Sequence, residues 1–132
     1  MGELNKILHV EDEADIREIA HMALELIGGF EVAQAELGTV ALDIVEGFAP
    51  DMILIDVQMP ELTGPETLEA IRKMPGFENI PAIYMTAKVS ESEKGSLIGP
   101  LELGLISKPF DPTTLATQIR AMWDKGLSAA AA

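Results

Sequence analysis

The chain predicts an open α/β domain in which a parallel sheet of five strands carries helices on both faces, making three layers. Strand-like and helix-like stretches alternate along nearly all of the 132 residues. Met52–Ile55 is a continuous apolar run, as expected of a parallel strand buried on both faces. Gly, Pro and Asp punctuate the junctions where one element gives way to the next. Five βα units cannot close an eight-fold barrel, so the sheet stays open and its crossovers are right-handed.

Each element has its own signal. Lys6–Val10 is a short strand, followed by a helical stripe of Ile16, Ile19, Ala20, Ala23, Leu24 and Ile27 that closes at Gly28-Gly29. Phe30–Ala35 reads as the second strand, and Thr39–Phe48 as a second helix stopped by Pro50. After the strand Met52–Ile55, Thr63-Gly-Pro-Glu66 has capping-box spacing with Pro in the first turn, opening a helix to about Met74. Pro81–Met85 is the fourth strand, and Ser90–Ile98 a weaker helix rich in Ser, Glu and Gly. Leu103–Ile106 is a short fifth strand. Asp111-Pro112 is read as an N-cap and first helical position, with an inner face of Leu115, Ile119 and Met122 and an end at Lys125-Gly126. One domain is expected over residues 4–124, with 125–132 as a disordered or appended tail.

Composition narrows the function. With 48% hydrophobic residues but one Trp and one Tyr, the interior is aliphatic. The absence of Cys excludes a disulfide scaffold, a thiolate metal site and a Cys nucleophile, and fits a reducing cytoplasm. The opening residues read as neither a signal peptide nor a myristoylation signal, and no stretch is long and apolar enough to span a bilayer. A net charge of −13 argues against direct contact with nucleic acid or anionic lipid.

Chemistry gathers at the carboxyl edge of the sheet, where such folds bind ligands. Glu11, Asp12 and Glu13 follow the first strand, Asp56 ends the third, Thr86 ends the fourth, and Lys108 follows the fifth. Singly, each suits a cap, a turn or a solvated loop. Together, they bring the three carboxylates of Glu11, Asp12 and Asp56 within several ångströms. At about 5 Å and an effective dielectric of about 20, each like-charged pair costs about 3 kcal/mol. One lysine cannot neutralise three acids, so the arrangement invites Mg²⁺, a hard cation that takes carboxylates, waters and a phosphate. With Thr86 and Lys108 to hold the transferring oxygens, Asp56 becomes a candidate nucleophile for phosphoryl transfer.

These residues lie in the motifs Ile-Leu-His-Val-Glu-Asp-Glu13, Asp-Met-Ile-Leu-Ile-Asp-Val-Gln-Met-Pro60, Ile-Tyr-Met-Thr-Ala87 and Ser-Lys-Pro-Phe110. From Ile7 to about Trp123 the chain resembles the receiver domains of two-component response regulators. The resemblance implies a flavodoxin-like strand order of 2-1-3-4-5, with Asp56 as phosphoacceptor. It implies Mg²⁺ held by Asp12, Asp56 and the backbone carbonyl of Gln58, with Glu11 acting through water. Thr86 and Lys108 would sense the phosphoryl group, and Lys108-Pro109 would be a cis peptide. The implied partners are a sensor histidine kinase or a histidine phosphotransferase, met near Ala14, Pro109 and Phe110, and a downstream protein target.

One departure is that Leu105 stands where the family usually carries Tyr or Phe. Switching is then expected to run through loop movement or a helix shift near Ser90–Ile98, where Gly95, Gly99 and Pro100 weaken the helix. The expected protein is a stand-alone cytoplasmic receiver that catalyses only its own phosphorylation and dephosphorylation. An aspartate-nucleophile phosphatase or mutase generally needs a second Asp where this chain has Gln58. An unphosphorylated interaction module, or a receiver cut from a longer hybrid kinase or regulator, remain as alternatives. His9 reads as a core imidazole and His21 as solvated.

Overall fold

The computed structural model describes residues 2–87 and 97–131. Strands β1 (Lys6–Val10), β2 (Glu31–Ala35), β3 (Met52–Asp56), β4 (Ala82–Thr86) and β5 (Glu102–Ser107) form one parallel sheet in the order β2-β1-β3-β4-β5. Among the described residues, the helices are α1 (Ala14–Met22), α2 (Gly38–Phe48), α3 (Gly64–Ile71) and α4 (Leu115–Ala131).

The alternation of side chains along β3 divides the core. Met52 and Leu54 face a cluster with Leu24, Leu115, Ile119 and Trp123, beneath α1 and α4. Ile53 and Ile55 face Val45, Leu68 and Ile71, beneath α2 and α3. Every residue of β3 is therefore buried. Each of its apolar side chains contributes about 2 kcal/mol by leaving water. Asp56 is the one β3 residue that such packing does not explain.

The capping box at α3 forms as its spacing predicts. The Glu66 amide donates to the Thr63 hydroxyl at 3.3 Å, and the Thr63 amide donates to the Glu66 carboxylate at 2.9 Å. Elsewhere the helices depart from expectation. After α1 the chain makes a π-helical turn over Ala23–Ile27, in which the Gly28 amide donates to the Ala23 carbonyl at 3.1 Å. One extra residue in a turn advances everything after it by about 100°. Ala20, Ala23 and Leu24 stay in the core, while Ile27, expected on the same stripe, turns out to solvent, as Ile19 of that stripe already does before the turn.

α4 begins and ends later than expected. Asp111 instead caps the preceding turn, its carboxylate accepting from the Thr113 amide at 2.9 Å and the Thr113 hydroxyl at 2.7 Å. The expectation of a helix end at Lys125-Gly126 is corrected, since α4 runs to Ala131. Gly126 packs so closely on Leu103 that a Cβ there would stand 2.6 Å from its Cδ2, so this glycine permits a contact. The alanines that follow have the highest helix propensity of any residue. The expected helix Ser90–Ile98, and the switching assigned to it, lie largely outside the described residues. Lys108-Pro109 is cis. Among the described residues, no helix is long and apolar enough to cross a membrane.

Candidate functional site

Backbone ladders fix the acidic residues before any side chain acts. The Glu11 amide donates to the Ala35 carbonyl at 3.0 Å, carrying the β1–β2 pairing one residue beyond the strand. The Val57 amide donates to the Met85 carbonyl at 3.1 Å, and the Lys108 amide to the Thr86 carbonyl at 2.8 Å. Glu11, Asp56, Thr86 and Lys108 are thus held at the same edge by neighbouring strands. Asp56, Thr86 and Lys108 line a cleft of about 520 Å³ together with Asp12, Gln58 and Ala87, and buried Glu11 meets it through its contact with Lys108.

Carboxylate oxygens of Glu11, Asp12 and Asp56 all lie within 4.8 Å of one another. Glu11 is fully buried and Asp56 nearly so, while Asp12 reaches solvent. The Lys108 Nζ lies 3.0 Å from the Glu11 Oε1 and 3.0 Å from the Asp56 Oδ2, donating to both. Burial pushes the Glu11 carboxyl up to about 7. The Lys108 hydrogen bond opposes that rise and the Asp56 charge adds to it. Burial alone would depress the Lys108 ammonium, but its bonds to Asp56 and Glu11 outweigh this and raise it.

The charge count leaves two acids' worth of negative charge beyond Lys108 when all three carboxyls ionise. An all-oxygen donor set with that excess fits a hard divalent cation, and Mg²⁺ is the ion whose chemistry matches best. Glu11, Asp12, Asp56 and the Gln58 carbonyl are the groups available to hold it. Because Glu11 retains a proton up to about pH 7, cation binding is coupled to proton release. Titration calorimetry across pH 6–8 should show Mg²⁺ affinity rising by up to about tenfold per unit below 7 and levelling above. An affinity that stays flat across that range would contradict the coupling.

Gly64 shapes the loop after Asp56. A Cβ on Gly64 would collide with the Asp56 carbonyl oxygen, and the Gly64 amide donates to the Val57 carbonyl at 2.9 Å. The clashing atom is backbone and has no rotamer by which to escape. Gly64→Ala is therefore expected to displace Asp56 and Gln58 together and weaken Mg²⁺ binding by about 10–100-fold. Unchanged affinity in the same calorimetric assay would remove Gly64 from this role.

Some contributors have no motif. Arg17, on the first turns of α1, donates from Nη1 to the Glu11 carbonyl at 2.9 Å, bracing the loop that carries the acids. Gln34 bridges the Arg17 carbonyl at 2.8 Å and the His9 Nδ1 at 3.0 Å. His9 is fully buried, and burial, then Lys108, drive its imidazole down to about 3, so it is a neutral core residue. Both contacts follow from β1–β2 register, which pairs His9 with Gln34, and are invisible before that register is known. His21 lies 3.2 Å from Glu25 on the partly exposed side of α1. Leu105 pairs across the sheet with Tyr84.

A family model described as the response regulator receiver domain matches residues 7–120. The chain belongs to the response regulator receiver family. Among curated proteins, this receiver is 37% identical over 122 residues to the transcriptional regulatory protein CpxR of Escherichia coli K12, covering 90% of this chain and 49% of that one. It is 32% identical over 123 residues to the response regulator Rre1 of Synechocystis, covering 91% and 52%. The chain spans about half the length of the curated relatives it matches. Among solved structures, the chemotaxis protein CheY4 of Vibrio cholerae superposes with a TM-score of 0.80 at 31% identity, covering 91% of this receiver and 99% of that chain. The strand order implied by the sequence resemblance is the one observed.

Proposed function

We propose that this receiver accepts a phosphoryl group on Asp56 from a phosphohistidine donor, in a Mg²⁺-dependent step, and signals through the resulting conformational change or by onward transfer. The reading rests on one observation above others, the 3.0 Å contacts from Lys108 Nζ to both Glu11 and Asp56. A buried acid at a strand end, held by a lysine and flanked by two further carboxylates, is arranged for an incoming anion rather than for packing. An Asp56 oxygen would attack phosphorus, forming an O–P bond as the N–P bond to the donor imidazole breaks. The leaving imidazole takes up a proton from solvent. Bound Mg²⁺ would offset the charge of the approaching phosphoryl oxygens. Lys108 and the Thr86 hydroxyl are the remaining groups placed to hold those oxygens.

The donor would be a sensor histidine kinase or a histidine phosphotransferase. Pro109 lines the cleft, Ala14 and Phe110 adjoin its lining residues in sequence, and exposed apolar Ile19 and Met22 on α1 with Leu26 in the π-helical turn suit a partner helix. The protein would act in the cytoplasm without touching nucleic acid itself, and its only catalysis would be on its own aspartyl phosphate. CpxR and Rre1 are each about twice as long as the stretch they share with this receiver, which is proposed to work alone, the alternative being a receiver within a longer hybrid kinase or regulator. Incubation with acetyl phosphate, with Mg²⁺ or with chelator, followed by intact-mass measurement, tests the reading. The expected result is a gain of one phosphoryl group only when Mg²⁺ is present. A gain in chelator, or none from either acetyl phosphate or a phosphohistidine donor, would refute it.

A further inference from the structure

The turn between β1 and α1 carries Glu11 and Asp12, and it is fixed from outside the cleft as well as from within. The Glu11 amide donates to the Ala35 carbonyl at 3.0 Å, and the Glu11 carbonyl accepts from Arg17 Nη1 at 2.9 Å. Its carboxylate accepts from Lys108 Nζ at 3.0 Å through Oε1 and from the Glu13 amide at 3.3 Å through Oε2. Lys108 and Glu13 line the cleft, whereas Ala35 and Arg17 stand outside that lining. Pinning the Glu11 carbonyl also fixes the peptide plane that leads into Asp12. The Asp12 side chain is exposed, so that plane, more than packing, places its carboxylate.

Arg17 is itself anchored to β2. Gln34 Nε2 donates to the Arg17 carbonyl at 2.8 Å and lies 3.0 Å from His9 Nδ1. A carbonyl only accepts, so this nitrogen is the amide donor, and Nδ1 takes its second hydrogen. Both N–H groups of one half-buried amide are thus committed, one to α1 and one to β1. The β1–β2 register arranges this, because it pairs His9 with Gln34 and Val10 with Ala35. Successive β2 residues therefore hold the acid-bearing turn, Ala35 through its backbone and Gln34 through Arg17.

Rigidity in such a turn matters most to the smaller of two hard cations. Mg²⁺ demands near-ideal octahedral geometry with short bonds, whereas Ca²⁺ accepts longer bonds and a variable number of oxygens. We infer that Arg17 and Gln34 are positioning residues that set the cation selectivity of the cleft, holding the Glu11–Asp12 turn in a shape that favours Mg²⁺ over Ca²⁺. This rests on the Mg²⁺-dependent function proposed above. A turn without its brace can spread to follow the larger ion, but it no longer offers the smaller one a shell of the right shape. Selectivity is then controlled from β2, an edge strand whose own residues supply none of the acids.

Titration calorimetry with Mg²⁺ and with Ca²⁺ on the full chain compares wild type, Arg17→Ala, Arg17→Lys and Gln34→Leu. The same samples are weighed intact after acetyl phosphate and Mg²⁺. In Arg17→Ala the Mg²⁺ affinity should fall by about 10-fold or more while Ca²⁺ affinity changes far less, so the ratio of the two falls. Gln34→Leu, which touches no acid, should lower that ratio by a smaller factor. Arg17→Lys keeps a donor for the Glu11 carbonyl, and its ratio should lie above that of Arg17→Ala. A merely structural role would weaken both cations equally and leave the ratio where it was. A ratio in Arg17→Ala equal to or above that of wild type overturns the inference, while a phosphoryl gain in wild type leaves the proposed function intact. Should Arg17→Ala fail to fold, the ratio in Gln34→Leu decides by the same criterion. Neither Mg²⁺ binding nor a gain of mass in wild type overturns both.

Discussion

Asp56→Asn is expected to abolish the phosphoryl gain altogether while leaving the fold in place. The amide keeps the shape of the side chain but replaces the nucleophilic carboxylate with a group that forms no stable acyl phosphate. It also removes one of the two buried acids that Lys108 bridges. Asp56 is one of the charges that raises Glu11, so the Glu11 carboxyl should ionise more readily in this variant. The urea midpoint should therefore stay near or above that of wild type at neutral pH, which separates loss of chemistry from loss of structure. Intact mass after acetyl phosphate and Mg²⁺ decides the matter. Label retained on Asp56→Asn would move the acceptor elsewhere.

Lys108→Ala should have the largest effect on stability. Lys108 is the cation that compensates two buried carboxylates at once, and removing one partner of a buried ionic group costs about 3–5 kcal/mol. The loss has a defined pH dependence. Glu11 carries a folded-state value of about 7, above its usual 4.5, so its ionisation weakens the folded state as pH rises through that window. Without Lys108 the Glu11 penalty grows, and the deficit against wild type should widen as pH rises through about 7. Mg²⁺ should recover much of it, because a divalent cation among the same oxygens replaces the missing charge. The variant is still expected to accept phosphate, yet to lose the difference in amide exchange that phosphorylation produces in wild type. A deficit independent of pH and Mg²⁺, or a wild-type exchange response, would contradict this account.

Strand positions were the most legible part of the fold. β3 was readable because burial on both faces demands four apolar residues in succession, and its end was readable because Asp56 breaks that demand. Thr63 and Glu66 were equally plain, since a capping box is a local device with a fixed spacing. The π-helical turn was not legible, because Ala23 to Ile27 has the same apolar periodicity as an ordinary helix. Its register depends on where Phe30 and α4 meet Leu24. The end of α4 was misread for a related reason. Gly126 resembles a stop signal until Leu103 is seen beneath it.

At the candidate site, the residue types and their order along the edge could be read in advance. Their electrostatics could not. That Lys108 would touch Glu11 as closely as Asp56, and that Arg17 would hold the Glu11 carbonyl, depend on side-chain reach across strands and helices.

The bond between Lys108 and Glu11 joins residues 97 apart in the chain. During synthesis, Glu11 and Asp56 are made long before Lys108, and sheets built from such distant contacts are slow to assemble. A nascent or misfolded chain thus holds its acids without the cation that organises them. The arrangement at the sheet edge is therefore complete only when β5 lies beside β4 and brings Lys108 to the two acids.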